Sequence, residues 1–161
     1  MNRTPTLIKT TINDSGRTLT VEPNELLLDT LRDRLGLRGA KRSCDVQVCG
    51  ACTVLVDGEP VSACTYLTTE TAGREVLTVE GFAEHSEFVE FERAFVKHAA
   101  VQCGFCTPGM LLTLKALRDN GELEDEASLE AGLDGSICRC TGYSAILYAA
   151  ADLAAAQEET G

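Results

Sequence analysis

Eight cysteines in two sets of four constrain this chain more than any other feature: Cys44, Cys49, Cys52 and Cys64 in the front half, and Cys103, Cys106, Cys138 and Cys140 in the rear. The front set reads C-x4-C-x2-C with a fourth cysteine after eleven more residues, the plant-type ferredoxin spacing for a [2Fe-2S] cluster. The rear set reads C-x2-C and, 31 residues on, C-x-C. A two-iron core needs two thiolates on each iron, so eight thiolates fit two such clusters with none left over.

Other readings of the same cysteines fit less well. A zinc ribbon would carry a second C-x2-C in each set, and neither set has one. A thioredoxin-like redox pair at Cys49–Cys52 or Cys103–Cys106 would need a long apolar strand before it and would leave the remaining cysteines idle. A disulfide framework belongs to exported proteins. Met1-Asn2-Arg3-Thr4-Pro5 shows no apolar signal region, so reduced ligands in a cytoplasmic protein are expected.

Twenty-five acidic against fourteen basic residues give a net charge of −11, the wrong sign for binding nucleic acid or an anionic membrane. Aromatic residues make up 5% and tryptophan is absent, so platforms for base stacking are scarce. The longest apolar stretch, Ala145 to Ala156, is interrupted by Asp152 and is too short to span a bilayer. The chain is expected to dock other proteins.

The 161 residues divide naturally into two parts, 1–81 and 82–161. Halves of roughly 80 residues bury a modest core, and a bound metal centre adds stability to folds of that size. In the first part, Thr6 to Ile12 and Arg17 to Val21 alternate around an Asn13-Asp14-Ser15-Gly16 turn signal and read as a β-hairpin. Leu27, Leu28, Leu31 and Leu35 then mark an amphipathic helix of about three turns that Gly36 stops. From Leu37 to Cys52 no period holds, as expected of a ligand loop. Strands are expected at Thr53 to Val56, around Val61 and Ala63, and at Val76 to Val79. The whole reads as a small α+β domain whose sheet packs on one helix.

The second part is helical. Ser86 is expected to cap a helix with Phe88, Phe91, Phe95 and Ala99 inward. Pro108 opens a second helix that stops at Asn120-Gly121. Glu122 to Glu126 reads as an acidic loop, Ser128 to Leu133 as a short helix, and Tyr143 to Gln157 as the last helix. Both rear cysteine pairs precede helices, where backbone amides favour negative charge on sulfur. His85 and His98 stand apart from any ligand spacing and are read as surface or packing residues. Arg139, between two cysteines, is placed either to tune a cluster by charge or to form a plain salt bridge. No GxGxxG, P-loop, nucleophile elbow or catalytic carboxylate pair is visible. Two redox centres without a substrate-site motif imply a conduit.

The wording around the cysteines adds to this: Gly39-Ala40-Lys41, Cys49-Gly50-Ala51-Cys52-Thr53-Val54, Gln102-Cys103-Gly104-Phe105-Cys106-Thr107-Pro108-Gly109-Met110 and Cys138-Arg139-Cys140-Thr141-Gly142-Tyr143. From about Thr6 to Ala150 the chain closely resembles the iron-sulfur subunit of the molybdenum hydroxylases, the xanthine dehydrogenase and aldehyde oxidase family, which also includes carbon monoxide dehydrogenase. The resemblance implies an α+β fold: an N-terminal β-grasp, plant-type ferredoxin domain followed by an all-α four-helix [2Fe-2S]-binding domain. It implies a large partner subunit holding molybdopterin, a medium partner holding FAD, and a heterotrimer or a dimer of heterotrimers. It also implies that electrons pass from molybdenum through the rear cluster and then the front cluster to flavin. Gln102 and Cys140 carry over as contacts to the pterin, with a loop-capping amide as the other reading of Gln102. The substrate is then an aldehyde, a purine, an N-heteroaromatic ring or carbon monoxide. A free-standing ferredoxin-like carrier is the rival, although a simple carrier has no evident need of the helical half. Relatives commonly place Gly at Gln47 and often at Ser43, and frequently Asn at Ser136, which leaves the path of the front loop open.

Overall fold

The computed structural model describes residues 4–123 and 126–158. The hairpin forms as its alternation predicts: β1 (Thr6–Ile12) and β2 (Ser15–Val21) pair antiparallel, from Thr6 opposite Val21 to Ile12 opposite Ser15. Asn13 and Asp14 make the two-residue turn at φ 49° and 58°, a left-handed geometry that matches the twist of the strands. β5 (Glu75–Leu77) lies parallel to β1 and antiparallel to β3 (Thr53–Val56), and β3 pairs with β4 (Glu59–Ser62). The sheet order is therefore β2-β1-β5-β3-β4.

One face of this sheet grips Leu27, Leu28 and Leu31, all fully buried with Ile8, Val21, Val54 and Val56. The helix that carries them is shorter than its leucine spacing predicts. α1 (Leu27–Asp29) widens at once into a π-helical turn, Thr30–Arg34, in which the Leu35 N–H reaches the Thr30 carbonyl at 3.1 Å. Tertiary bonds hold this segment: the buried Thr30 hydroxyl meets Glu25 at 2.6 Å and the Thr68 hydroxyl at 2.8 Å. Thr68–Thr71 is a 3-10 turn. Gly36, at φ 72°, then turns the chain away.

The last strand also ends early. Asn13 donates to the Thr78 hydroxyl at 3.0 Å and accepts the Thr78 N–H at 2.9 Å, which releases Val79 from the sheet to begin α2 (Val79–Phe82). Gly81 lies inside α2, where an added Cβ would meet the Asn13 side chain at 2.3 Å.

The helical half contains α3 (Phe88–Lys97), α4 (Thr107–Asp119), α5 (Glu126–Leu133) and α6 (Ser144–Glu158). Ser86 does not cap α3: Glu87 holds the N-cap position, without a side-chain bond. Phe91 and Phe95 are buried as predicted. Ala99 leaves the stripe because α3 ends at Lys97 and Ala99 takes φ 51°, so Ala94 and Ala100 face inward instead. α4 stops where Asn120-Gly121 predicts, by a Schellman closure in which the Glu122 N–H reaches the Leu117 carbonyl at 2.8 Å and the Gly121 N–H that of Arg118 at 3.1 Å. α5 begins two residues before Ser128, and residues 124–125 of the expected acidic loop lie outside the described residues.

β3 is buried along its whole length. Val54 and Val56 face the α1 side, while Leu55, pointing the other way, joins Phe91, Met110, Leu114 and Ile146 in the helical core. One strand thus serves both cores, and the loop before it is placed against the start of α4.

Candidate metal centres

Three front cysteines lie on the 37–52 loop, and the fourth follows β4. The loop folds tightly, with Asp45, Gln47 and Gly50 at φ 57°, 58° and 68°. Gln47 therefore adopts the left-handed conformation that glycine favours, and its side-chain oxygen accepts from the Thr65 hydroxyl at 3.2 Å. These bends turn amides toward sulfur. The N–H groups of Val46, Val48 and Cys49 reach Cys44, that of Val48 at 3.4 Å, and bring the Cys44 pKa down to about 6. Cys52 lies deeper, and burial pushes its thiol up to about 11.

In the rear set Cys106 is the N-cap of α4, and Cys138 and Cys140 precede α6. Cys103 and Cys140 are exposed with their sulfurs 3.5 Å apart. The Phe105 N–H lowers the pKa of Cys103, whereas the contact with Cys103 raises that of Cys140. Burial drives Cys106 up to about 12. At Cys138 burial also acts upward, but it is outweighed by hydrogen bonds, chiefly from Thr141, whose hydroxyl lies 3.2 Å from the sulfur; the result is about 7. The Cys138 N–H donates to the Tyr143 hydroxyl at 2.9 Å.

In each set the thiols meet as couples. Cys44 pairs with Cys49 and Cys52 with Cys64; Cys103 pairs with Cys140 and Cys106 with Cys138. Two couples suit a core with one couple on each of two irons. The amides aimed at Cys44 and Cys103 suit an anionic thiolate-ligated core. All eight cysteines are free, and the residues fit two [2Fe-2S] clusters.

The two sets are joined by backbone. The Ile137 N–H, one residue before Cys138, donates to the Cys49 carbonyl at 3.0 Å. Packing here leaves no room for a side chain: a Cβ on Gly50 would lie 2.5 Å from the Gly135 carbonyl, and one on Gly109 would lie 2.1 Å from the Gly50 carbonyl. This bridge escapes sequence reasoning because Gly50 also suits a loop wrapped round a metal centre. Gln102 and Arg139 lie exposed beside the rear set. His98 pairs with Asp152 at 2.7 Å, joining α3 to α6, and His85 lies 3.6 Å from Asp14 and 3.7 Å from Glu87, so both histidines serve packing or surface polar contacts. No helix among the described residues is long and apolar enough to cross a membrane.

Family models account for both halves. Residues 10–78 match a 2Fe-2S iron-sulfur cluster binding domain, and residues 78–151 match a [2Fe-2S] binding domain. The 6-hydroxypseudooxynicotine dehydrogenase complex subunit beta of Paenarthrobacter nicotinovorans is 46% identical over 82% of this chain and 83% of its own length. The nicotinate dehydrogenase small FeS subunit of Eubacterium barkeri is 40% identical over 88% of this chain and 93% of its own. Among solved structures, quinoline 2-oxidoreductase from Pseudomonas putida 86 superposes with a TM-score of 0.88 at 36% identity, covering 97% of this chain and 98% of that one. The chain belongs to the family of iron-sulfur subunits of molybdenum hydroxylases, with a β-grasp ferredoxin domain followed by a helical [2Fe-2S] domain. Members of this family transfer electrons and carry no substrate chemistry themselves.

Proposed function

We propose that Cys44, Cys49, Cys52 and Cys64 hold one [2Fe-2S] cluster and that Cys103, Cys106, Cys138 and Cys140 hold the other. Bound there, the clusters supply one-electron redox chemistry. The chain's own part is to hold the two sites in register for transfer between a molybdopterin-bearing large subunit and an FAD-bearing medium subunit. The observation that carries this reading is the hydrogen bond from Ile137 to the Cys49 carbonyl, which connects a residue next to one rear ligand directly to a front ligand.

Each site turns one thiol couple outward. At the rear these are Cys103 and Cys140, with Gln102 beside them and Val101, Phe105 and Ile137 exposed nearby; at the front, Val46 and Val48 stand exposed beside Cys44 and Cys49. Apolar residues around a redox edge suit subunit docking. We assign the rear edge to the molybdopterin subunit, with Gln102 and Cys140 as the pterin contacts, and the front edge to the flavin subunit. The complex is a heterotrimer or a dimer of heterotrimers in the cytoplasm. We keep the division of the chain near Gly81; in support, Val76 is the last residue of the sheet core and Phe82 belongs to the helical core, while Leu55, Leu77 and Val79 pack across the boundary. For substrate we favour an N-heteroaromatic compound, because several similar chains belong to enzymes named for such rings, nicotinate and quinoline among them, with an aldehyde as the second reading because others belong to aldehyde oxidoreductases.

Purification of the native complex provides the test. About four irons per chain and two distinct paramagnetic signals on reduction are expected. Cys44→Ser should alter one signal and Cys140→Ser the other. Bound zinc, or a single signal, would overturn the ligand assignment. Recovery of the chain as a monomer that reduces diffusing partners would overturn the subunit role.

A further inference from the structure

Lys41 belongs to the front half, yet its charge lies on the rear site. Its backbone N–H is fixed to the carbonyl of Ala51, between front ligands Cys49 and Cys52, at 2.8 Å. Its side chain leaves that loop: Nζ donates to the Gly39 carbonyl at 3.1 Å and stands over the Phe105 ring, 5.6 Å from its centroid. Phe105 sits between rear ligands Cys103 and Cys106. Burial and the neighbouring Arg32 cation weaken the hold of this lysine on its proton, while attraction to Glu80, Cys106 and Cys103 opposes that effect. Two other charges share the neighbourhood. Arg32 is spent on the carbonyls of Arg38 and Ala40 at 3.0 and 2.7 Å, and Glu80 accepts the Gly39 N–H and the Thr78 hydroxyl, each at 2.7 Å.

We infer that Lys41 sets the reduction potential of the rear centre, its ammonium being held against the rear ligand loop by Phe105 and Gly39. The inference rests on the ligand assignment proposed above. An electron arriving at the rear site adds one negative charge, with no bond formed or broken and no proton required. A fixed cation beside that site favours the reduced state and raises the potential, since charge and hydrogen bonding are the protein's means of tuning such centres. A unit charge at roughly 10 Å under an effective dielectric constant near 20 changes an equilibrium constant by about tenfold. The front half thereby helps the rear site accept an electron from its partner. A mere loop tether would act through Gly39 and leave the potential unchanged.

Potentiometric titration of the native complex, followed by paramagnetic resonance, decides between these roles. The signal altered by Cys140→Ser identifies the rear centre. Lys41→Gln should make reduction of that centre about tenfold less favourable, a fall of about 59 mV for a one-electron couple, with a smaller shift at the front centre. Lys41→Arg should stay near the unsubstituted potential, and Glu80→Gln should move the rear centre upward. An unchanged rear potential in Lys41→Gln, or equal shifts at both centres, would overturn the inference. If Lys41→Gln fails to assemble, Lys41→Met decides: a rear potential that stays or rises is equally fatal. Absence of two signals in the unsubstituted complex would remove the ligand assignment itself and this inference with it.

Discussion

Gly50 is the residue at which cluster binding and domain docking meet. At φ 68° it is left-handed, and a Cβ would lie 2.5 Å from the Gly135 carbonyl and 2.9 Å from the Ser136 Cα, both backbone atoms that cannot swing aside. Gly50→Ala should therefore cost roughly 3 kcal/mol, combining left-handed strain with overpacking. A denaturant midpoint close to that of the unsubstituted protein would count against this account. The cysteines were legible because ligand spacing is a local property. Their coupling was not, since Cys64 and Cys138 reach their partners only once strands and helices have packed. Gln47 shows another limit: a glycine conformation persists there at φ 58° with a side chain in place, and one hydrogen bond to Thr65 accompanies it.

Among the elements, those with local punctuation were readable and those shaped by distant bonds were not. The β1–β2 hairpin and α4 carry their own turn, N-terminal and C-terminal signals. The π-helical turn after α1 and the 3-10 turn at Thr68–Thr71 are tied through Thr30, which sequence periodicity cannot reveal. Glu25 secures this junction: it accepts from the Thr30 hydroxyl at 2.6 Å and from Arg34 at 2.7 Å, and its other oxygen takes the Glu22 N–H at 3.1 Å. Burial alone would raise its carboxyl pKa, but the bonds from Thr30, Arg34 and Glu22 outweigh burial and leave it below 4.5. The folded value is thus depressed, so the stability it contributes is full above pH 4.5 and disappears as pH falls through that lower value. Glu25→Gln should flatten this part of the acid limb when denaturant midpoints are followed against pH. Parallel curves for the two proteins would contradict this role.

For the molecule as a whole, the question is whether its two halves stand alone. Composition and cysteine spacing pointed to two units but could not show how closely they dock, because Leu55 looks like any strand residue until its face is known. The signal available was the run Thr53-Val54-Leu55-Val56, with no polar alternation beyond its first residue, as expected of a strand covered on both sides. Leu55 is 2% exposed and belongs to the helical core although β3 is a strand of the front sheet. With the Ile137–Cys49 bond and the Gly50–Gly109 contact beside it, this packing should make unfolding cooperative across the boundary. Loss of the front centre's visible absorbance and loss of helical circular dichroism should then share one denaturant midpoint. Leu55→Ala removes a side chain that the helices cover, at a cost of about 2–5 kcal/mol for a buried leucine. If the halves are one cooperative unit, that substitution lowers both midpoints together. If they are independent, it separates the two curves, leaving the front transition high while the helical one falls, and the docked packing would then be too weak to couple them.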